Sequence, residues 1–174
     1  IYTINPTVTG YNFICEWVSI QLSYAYHFWL QVGYVKGPET SYNLRYYYEY
    51  VDMSGNQKIY GDSPISGSWH KYYVLHPIAY GASEDPEEWR FYVDTTLFGI
   101  CRVSPHEAVD EEAFVETTTS SIIINGSHFR KLSTLIVSKY CIWILWGTHD
   151  PYVDSPPYSL IEVSDYEFYA NGGG

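Results

Sequence analysis

Basic side chains are scarce in this chain. Nine Lys and Arg stand against 20 Asp and Glu among 174 residues, a formal net charge of −11. No cluster of Lys or Arg exists that would neutralise a phosphate backbone, so nucleic acid is excluded as a partner. Long apolar runs are also missing. The longest, 140–146, is far too short to cross a bilayer, so no membrane span is expected. Methionine occurs once, at Met53, and the chain opens at Ile1 without a charged, apolar leader, which reads as a mature, processed chain. Cysteine is limited to Cys15, Cys101 and Cys141. One disulfide with one leftover thiol is the expectation for an exported protein, with the pairing open. No Cys-x-x-Cys or close Cys/His spacing is present, so neither a metal nor a cofactor is expected.

Aromatic residues are what the chain has in excess. They make up 19% of it, and 20 of them are Tyr, while charged residues reach only 17%. Tyr, Thr, Val and Ile suit pleated, half-buried surfaces, and no stretch shows helical amphipathicity. Strand-like runs cover 12–21, 27–35, 41–52, 68–77, 88–94, 97–103, 112–118, 132–138, 140–146 and 158–169, punctuated by Gly, Pro, Ser and Asp turn signals. The expectation is an all-β fold, a single-domain β-sandwich or jelly roll of antiparallel strands over 1–174. In 88–94, Trp89, Phe91 and Val93 alternate with Arg90, Tyr92 and Asp94, and Asp94-Thr95-Thr96 reads as a turn into 97–103. The run Tyr46-Tyr47-Tyr48-Glu49-Tyr50 is aromatic on both faces, one for the core and one for solvent or ligand. Residues 1–10 contain a charge-free β-prone segment that can complete its own sheet or be donated to a neighbouring copy.

Three motifs carry candidate chemistry: Trp17-Val18-Ser19-Ile20-Gln21, Phe28-Trp29-Leu30-Gln31-Val32-Gly33 and Glu112-Ala113-Phe114-Val115-Glu116. Amide hydrolysis without a nucleophile requires an activated water and a donor for the oxyanion. A carboxylate and a side-chain amide supply both if one water reaches them together. The motifs resemble those of the glutamic endopeptidase (eqolisin) family, of the concanavalin-like jelly-roll superfamily. That family carries Trp-Val-Gly-Ile-Asp, Leu-Gln-Thr-Gly, an aromatic Trp-Tyr-Glu-Trp strand, and a strand that ends on the catalytic Glu. By the resemblance Gln31 and Glu116 are the catalytic pair, and Trp17, Gln21, Trp29, Tyr48, Glu49, Tyr50 and Glu112 bind substrate. Ser19, Gln21 and Val51 depart from the family pattern, standing where it has Gly, Asp and Tyr. The match covers under a third of the chain.

The implied function is acid-pH endoproteolysis by a secreted protein, with a polypeptide substrate and no cofactor. An extracellular location also fits the sequon Asn125-Gly126-Ser127, a candidate glycosylation site, whereas Asn5-Pro6-Thr7 is blocked by its Pro. Two alternatives stand beside it. One is a non-catalytic filament or coat subunit that binds copies of itself. The other is a carbohydrate-binding sandwich using Trp17, Trp29 and the Tyr46–Tyr50 platform. Six His are scattered with no metal-ligand spacing. His70 and His76 flank an apolar strand and read as hydrogen-bonded structural groups, and no Ser-His-Asp arrangement stands out.

Overall fold

The computed structural model describes residues 1–23, 25–77, 85–104, 108–136, 142–147, 150–151, 153 and 156–174. Thirteen strands form in these regions: β1 Ile14–Ser23, β2 Phe28–Lys36, β3 Arg45–Asp52, β4 Gly55–Tyr60, β5 Tyr72–Leu75, β6 Glu88–Val93 and β7 Thr96–Arg102. They continue with β8 Asp110–Thr117, β9 Ser127–Arg130, β10 Ser133–Ile136, β11 Ile142–Leu145, β12 Ser159–Ser164 and β13 Glu167–Asn171. Every paired strand is antiparallel. One complete 3₁₀ turn, Pro38–Thr40, lies within the described residues.

The first layer is a five-stranded sheet in the order β4-β3-β2-β1-β8. Facing it are two three-stranded sheets, β5-β6-β7 and β12-β13-β9. Residues 1–3 join those two into one layer. The Tyr2 amide donates to the His128 carbonyl of β9, at 2.8 Å, and the Thr3 amide to the Ser68 carbonyl just before β5, at 2.9 Å. Ile1, Thr3 and Val8 are buried against their own chain, so the N-terminal segment completes its own sheet here. Two packed antiparallel layers make this a β-sandwich, as the density of short strands implied.

Side-chain parity builds the interior. On β2, Leu30, Val32 and Tyr34 are fully buried between the layers, and they meet Tyr72, Val74, Phe91 and Phe129 from the opposite side. Each such aliphatic side chain contributes roughly 1.5–3 kcal/mol through burial. Tyr48 stacks on Phe91 at 4.5 Å, and Gly99 makes room for it, since a Cβ there would lie 2.2 Å from the Tyr48 ring. Among the described residues, one carboxylate enters this interior. Glu16 is fully buried, accepts the Ser127 hydroxyl at 2.6 Å, and has its pKa pushed up to about 7 by burial, offset in part by the hydroxyls of Ser127 and Tyr34.

Several sequence expectations are refined. The alternation in β6 holds, with Trp89, Phe91 and Val93 buried, and Asp94 turns the chain into β7 with φ 55°. The run 158–169 divides into β12 and β13 around Asp165 and Tyr166. Two strands went unread: β4, whose Gly-Asn-Gln-Lys start is polar because it is the exposed edge of its sheet, and the four-residue β9. Cys15 and Cys101 are both free thiols, buried in separate clusters on opposite sides of the first sheet, so a Cys15–Cys101 disulfide is ruled out. Cys141 lies outside the described residues.

Candidate active-site groove

The outer face of the five-stranded sheet floors a groove of about 490 Å³. Its residues come from alternate positions: Cys15, Trp17, Ser19 and Gln21 on β1, Trp29, Gln31 and Val35 on β2, Tyr47 and Glu49 on β3, and Glu112 and Glu116 on β8. The 3₁₀ turn at Pro38–Thr40 forms part of one wall, and the well-exposed Tyr11 lies at the rim. Because the side-chain period of a strand is 2, every one of these residues is the neighbour of a core residue.

Register aligns the polar residues into one row across five strands. Lys58 lies opposite Glu49, Glu49 opposite Gln31, Gln31 opposite Ser19, and Ser19 opposite Glu112. The row is hydrogen-bonded at both ends. The Gln31 amide nitrogen donates to Tyr47 Oη and to Glu49 Oε2, both at 2.9 Å. Glu49, 4% exposed, also accepts from Asn56 Nδ2 at 2.6 Å and pairs with Lys58 Nζ at 3.3 Å. Ser19 donates to Glu112 Oε2 at 3.2 Å. Burial of Glu49 is therefore compensated by three donors, as a buried carboxylate requires.

The next row is aromatic. Trp17 stacks on Phe114 at 5.0 Å, with Gly33 and Tyr47 alongside. Gly33 cannot carry a side chain, because a Cβ would sit 1.9 Å from the Glu16 carbonyl oxygen of β1. Beyond this row, Glu116 lies opposite Cys15 and accepts its thiol at 3.6 Å. Burial, and then the Glu116 charge, push the Cys15 thiol well above its ordinary pKa, so it is a packing group and not a thiolate nucleophile. The Tyr47 hydroxyl is likewise pushed well up by burial, then by Cys15 and Glu49, and stays neutral.

Most of the residues singled out in the sequence converge on this groove, with three changes. Gln31 and Glu116 share the groove but not a row. Glu112 is level with Gln31, while Glu116 is four positions further along β8, about 13 Å at the rise of an extended strand. Tyr48 and Tyr50 face the sandwich interior and do not line the groove; Tyr47 takes that place. Parity could not be read from a run in which both faces are aromatic. Gln21 is used locally, donating to the Ser23 and Phe28 carbonyls at 2.7 and 3.0 Å where β1 turns into β2. Lys58 was missed in the sequence, Tyr47 was read only within the Tyr46–Tyr50 platform, and Ser19 only as a departure from the family pattern. Ser19 stands two residues after Trp17, and that spacing was the available signal for it.

Among the described residues, four carboxylates (Glu39, Glu49, Glu112 and Glu116) and one ammonium (Lys58) line the groove. Among the described residues no cluster of His, Cys, Asp and Glu has the arrangement of a metal site, and no helix is long and apolar enough to cross a membrane. Compared with protein families, curated proteins and solved structures, the chain matches none.

Proposed function

We propose that the groove hydrolyses peptide bonds of an extended polypeptide at acid pH by a glutamic-type mechanism, with Gln31 and Glu112 as the reacting pair. One observation carries the reading: Gln31 and Glu112 stand on a single row of the groove floor with only Ser19 between them. Two strand spacings separate their backbones, about 10 Å, a gap that two converging side chains and one water fill. The resemblance of the motifs to glutamic endopeptidases assigned the acid to Glu116, but strand register favours Glu112.

In this mechanism the Gln31 carbonyl oxygen and the Glu112 carboxylate hold the water. Glu112 takes its proton as hydroxide adds to the scissile carbonyl, then passes the proton to the departing amine. The Gln31 amide nitrogen donates to the oxyanion, exchanging Tyr47 Oη for substrate oxygen as its acceptor. Glu49 keeps its bond to the Gln31 amide nitrogen and holds the amide plane, and Trp17 and Trp29 flank the bound chain. The surplus of carboxylates suits substrates with basic side chains.

The test is cleavage of an unfolded protein from pH 3 to 7 by wild type, Glu112→Gln and Glu116→Gln. Acid-dependent cleavage that falls at least a hundredfold in Glu112→Gln, and much less in Glu116→Gln, is the expected result. Loss confined to Glu116→Gln would restore the pairing drawn from the motifs and reject the one drawn from register.

A second reading is favoured by the completeness of the hydrogen bonding: Gln31, Glu49, Ser19 and Glu112 all have partners already. A floor satisfied in this way suits a groove that binds an extended chain or a glycan without cutting it. Binding by a folded protein that cleaves nothing at any pH would select this reading. Secretion is part of the same proposal. Asn125 sits exposed in the turn before β9, and a mass shift on deglycosylation of the natively expressed chain tests it.

A further inference from the structure

The layer opposite the groove sheet contains an arrangement that spacing in the sequence did not reveal. Ser68 and His70 share one face of the extended segment that leads into β5, and Asp94 stands in the turn between β6 and β7. Ser68 Oγ lies 2.9 Å from His70 Nε2, and His70 Nδ1 lies 2.9 Å from Asp94 Oδ2. The outer partners are fixed. The second Asp94 oxygen accepts the Lys71 amide at 2.9 Å, the Asp94 amide donates to the Lys71 carbonyl at 2.7 Å, and Tyr46 Oη lies over the ring, 3.1 Å from Nδ1 and 3.4 Å from Nε2.

Protonation follows from these contacts. Burial alone would raise the Asp94 carboxyl pKa, but the bonds from His70 and the Lys71 amide outweigh it and hold the group below its ordinary range. An ionised carboxylate only accepts, so Nδ1 carries the ring proton. The neutral ring then turns its Nε2 lone pair to the Ser68 hydroxyl, the tautomer in which histidine activates a serine. The Ser68 hydroxyl has a second acceptor, the Ile65 carbonyl at 2.5 Å. When the ring is protonated, Nε2–H donates to Oγ and the hydroxyl turns to Ile65. Both protonation states of a nucleophilic cycle are thus accommodated without moving a heavy atom.

We propose that Ser68, His70 and Asp94 form a second hydrolytic site, in which Ser68 is the nucleophile toward small activated acyl esters. Ser68 Oγ bonds to the acyl carbon while its proton passes to Nε2, and the ester C–O bond breaks as that proton goes to the leaving alcohol. Water then attacks the acyl-serine, giving up a proton to Nε2, and the carboxylic acid leaves as Ser68 takes the proton back. Ser68 is half-buried, the His70 side chain is 10% exposed and the Asp94 side chain 50%. That open setting suits small aryl and similarly activated esters, whose leaving groups need little protonation. None of the three residues lines the groove, so this site stands independently of the peptidase proposal.

The experiment treats the full folded chain with a fluorophosphonate probe and locates the adduct by peptide mass spectrometry. In parallel, p-nitrophenyl acetate hydrolysis is followed in wild type, Ser68→Ala, Asp94→Asn and the neighbouring control Ser66→Ala. A single adduct on Ser68 is expected, with ester hydrolysis at least tenfold lower in Ser68→Ala and Asp94→Asn and unchanged in Ser66→Ala. If Ser68→Ala fails to fold, wild type still decides: the adduct forms on the folded chain and is lost in urea. No adduct on Ser68, an equal adduct on the unfolded chain, or unaltered hydrolysis in a folded Ser68→Ala overturns the proposal.

Discussion

The two faces of the five-stranded sheet are written in the same strands with opposite chemistry. Inward, β1 presents Ile14, Glu16, Val18, Ile20 and Leu22; outward it presents Cys15, Trp17, Ser19 and Gln21. On β2 the contrast falls between adjacent residues, Leu30 in the core and Gln31 in the groove. The inner face holds the sandwich together by excluded water, while the outer face holds a polar row in register. The lesson is that position in this groove is inherited from packing on the other side. A slip of one residue would exchange the faces, so core burial is what fixes Gln31 opposite Ser19.

The sharpest test of that division substitutes those neighbours. Leu30→Ala opens a cavity at a fully buried site and is expected to cost about 2–5 kcal/mol in chemical denaturation. Gln31→Ala should retain most of the stability and instead abolish substrate cleavage or binding. Equal destabilisation by both would break the comparison, because it would make the outer row a structural element.

Glu16 is the exception on the inner face, and pH exposes it. Its carboxyl rises from 4.5 to about 7 on folding. A raised carboxyl favours the folded state while protonated, so the stabilising contribution is present below pH 4.5 and is lost as pH climbs to about 7. At 1.36 kcal/mol per pKa unit the loss is about 3 kcal/mol. Denaturation midpoints should therefore be higher at pH 4 than at pH 8. In Glu16→Gln the slope should flatten, and the variant should exceed wild type at pH 8. A wild-type profile with no such fall would refute the raised carboxyl.

Gly33 joins the two faces. A methyl group there would meet the Glu16 carbonyl at 1.9 Å, so Gly33→Ala must push β1 from β2. The expected cost is about 1–3 kcal/mol, accompanied by reduced activity because Ser19 and Gln31 flank the same ladder. A variant with wild-type stability would show that the ladder has slack.

The strands were legible because alternation and turn residues are local. Trp89, Phe91 and Val93 declare a face, and Asp94 declares a turn, within seven residues. The groove was half legible. The motifs named Gln31 and both glutamates, but the row pairing Gln31 with Glu112 depends on how β8 docks on β1, across 93 residues of chain from Ser19 to Glu112. The choice between Tyr47 and Tyr48 needed the parity of a strand that is aromatic throughout. Ser68 and His70 are neighbours in sequence, but Asp94 reaches them only through a hairpin turn 24 residues away. Local pattern carries the elements; contacts between elements carry the chemistry.

The smallest expected effect falls at the edge of the polar row. Lys58 pairs with Glu49 at 3.3 Å and with Glu39 at 3.8 Å from β4, and its side chain is 33% exposed. Screening by water limits such a pair, and Glu49 keeps the donors of Gln31 and Asn56 when Lys58 is removed. Lys58→Ala should therefore cost less than about 1 kcal/mol. Its effect on ligands should be larger than on folding, since it removes the cation facing Glu39 and Glu49 and leaves the groove more negative. Affinity for a basic peptide should rise in the variant and the rise should shrink with added salt, measured by titration at low and high ionic strength. A large loss of stability would place Lys58 among the groups that hold the sheet together, and the outer row would then be supported from its edge as well as from the core.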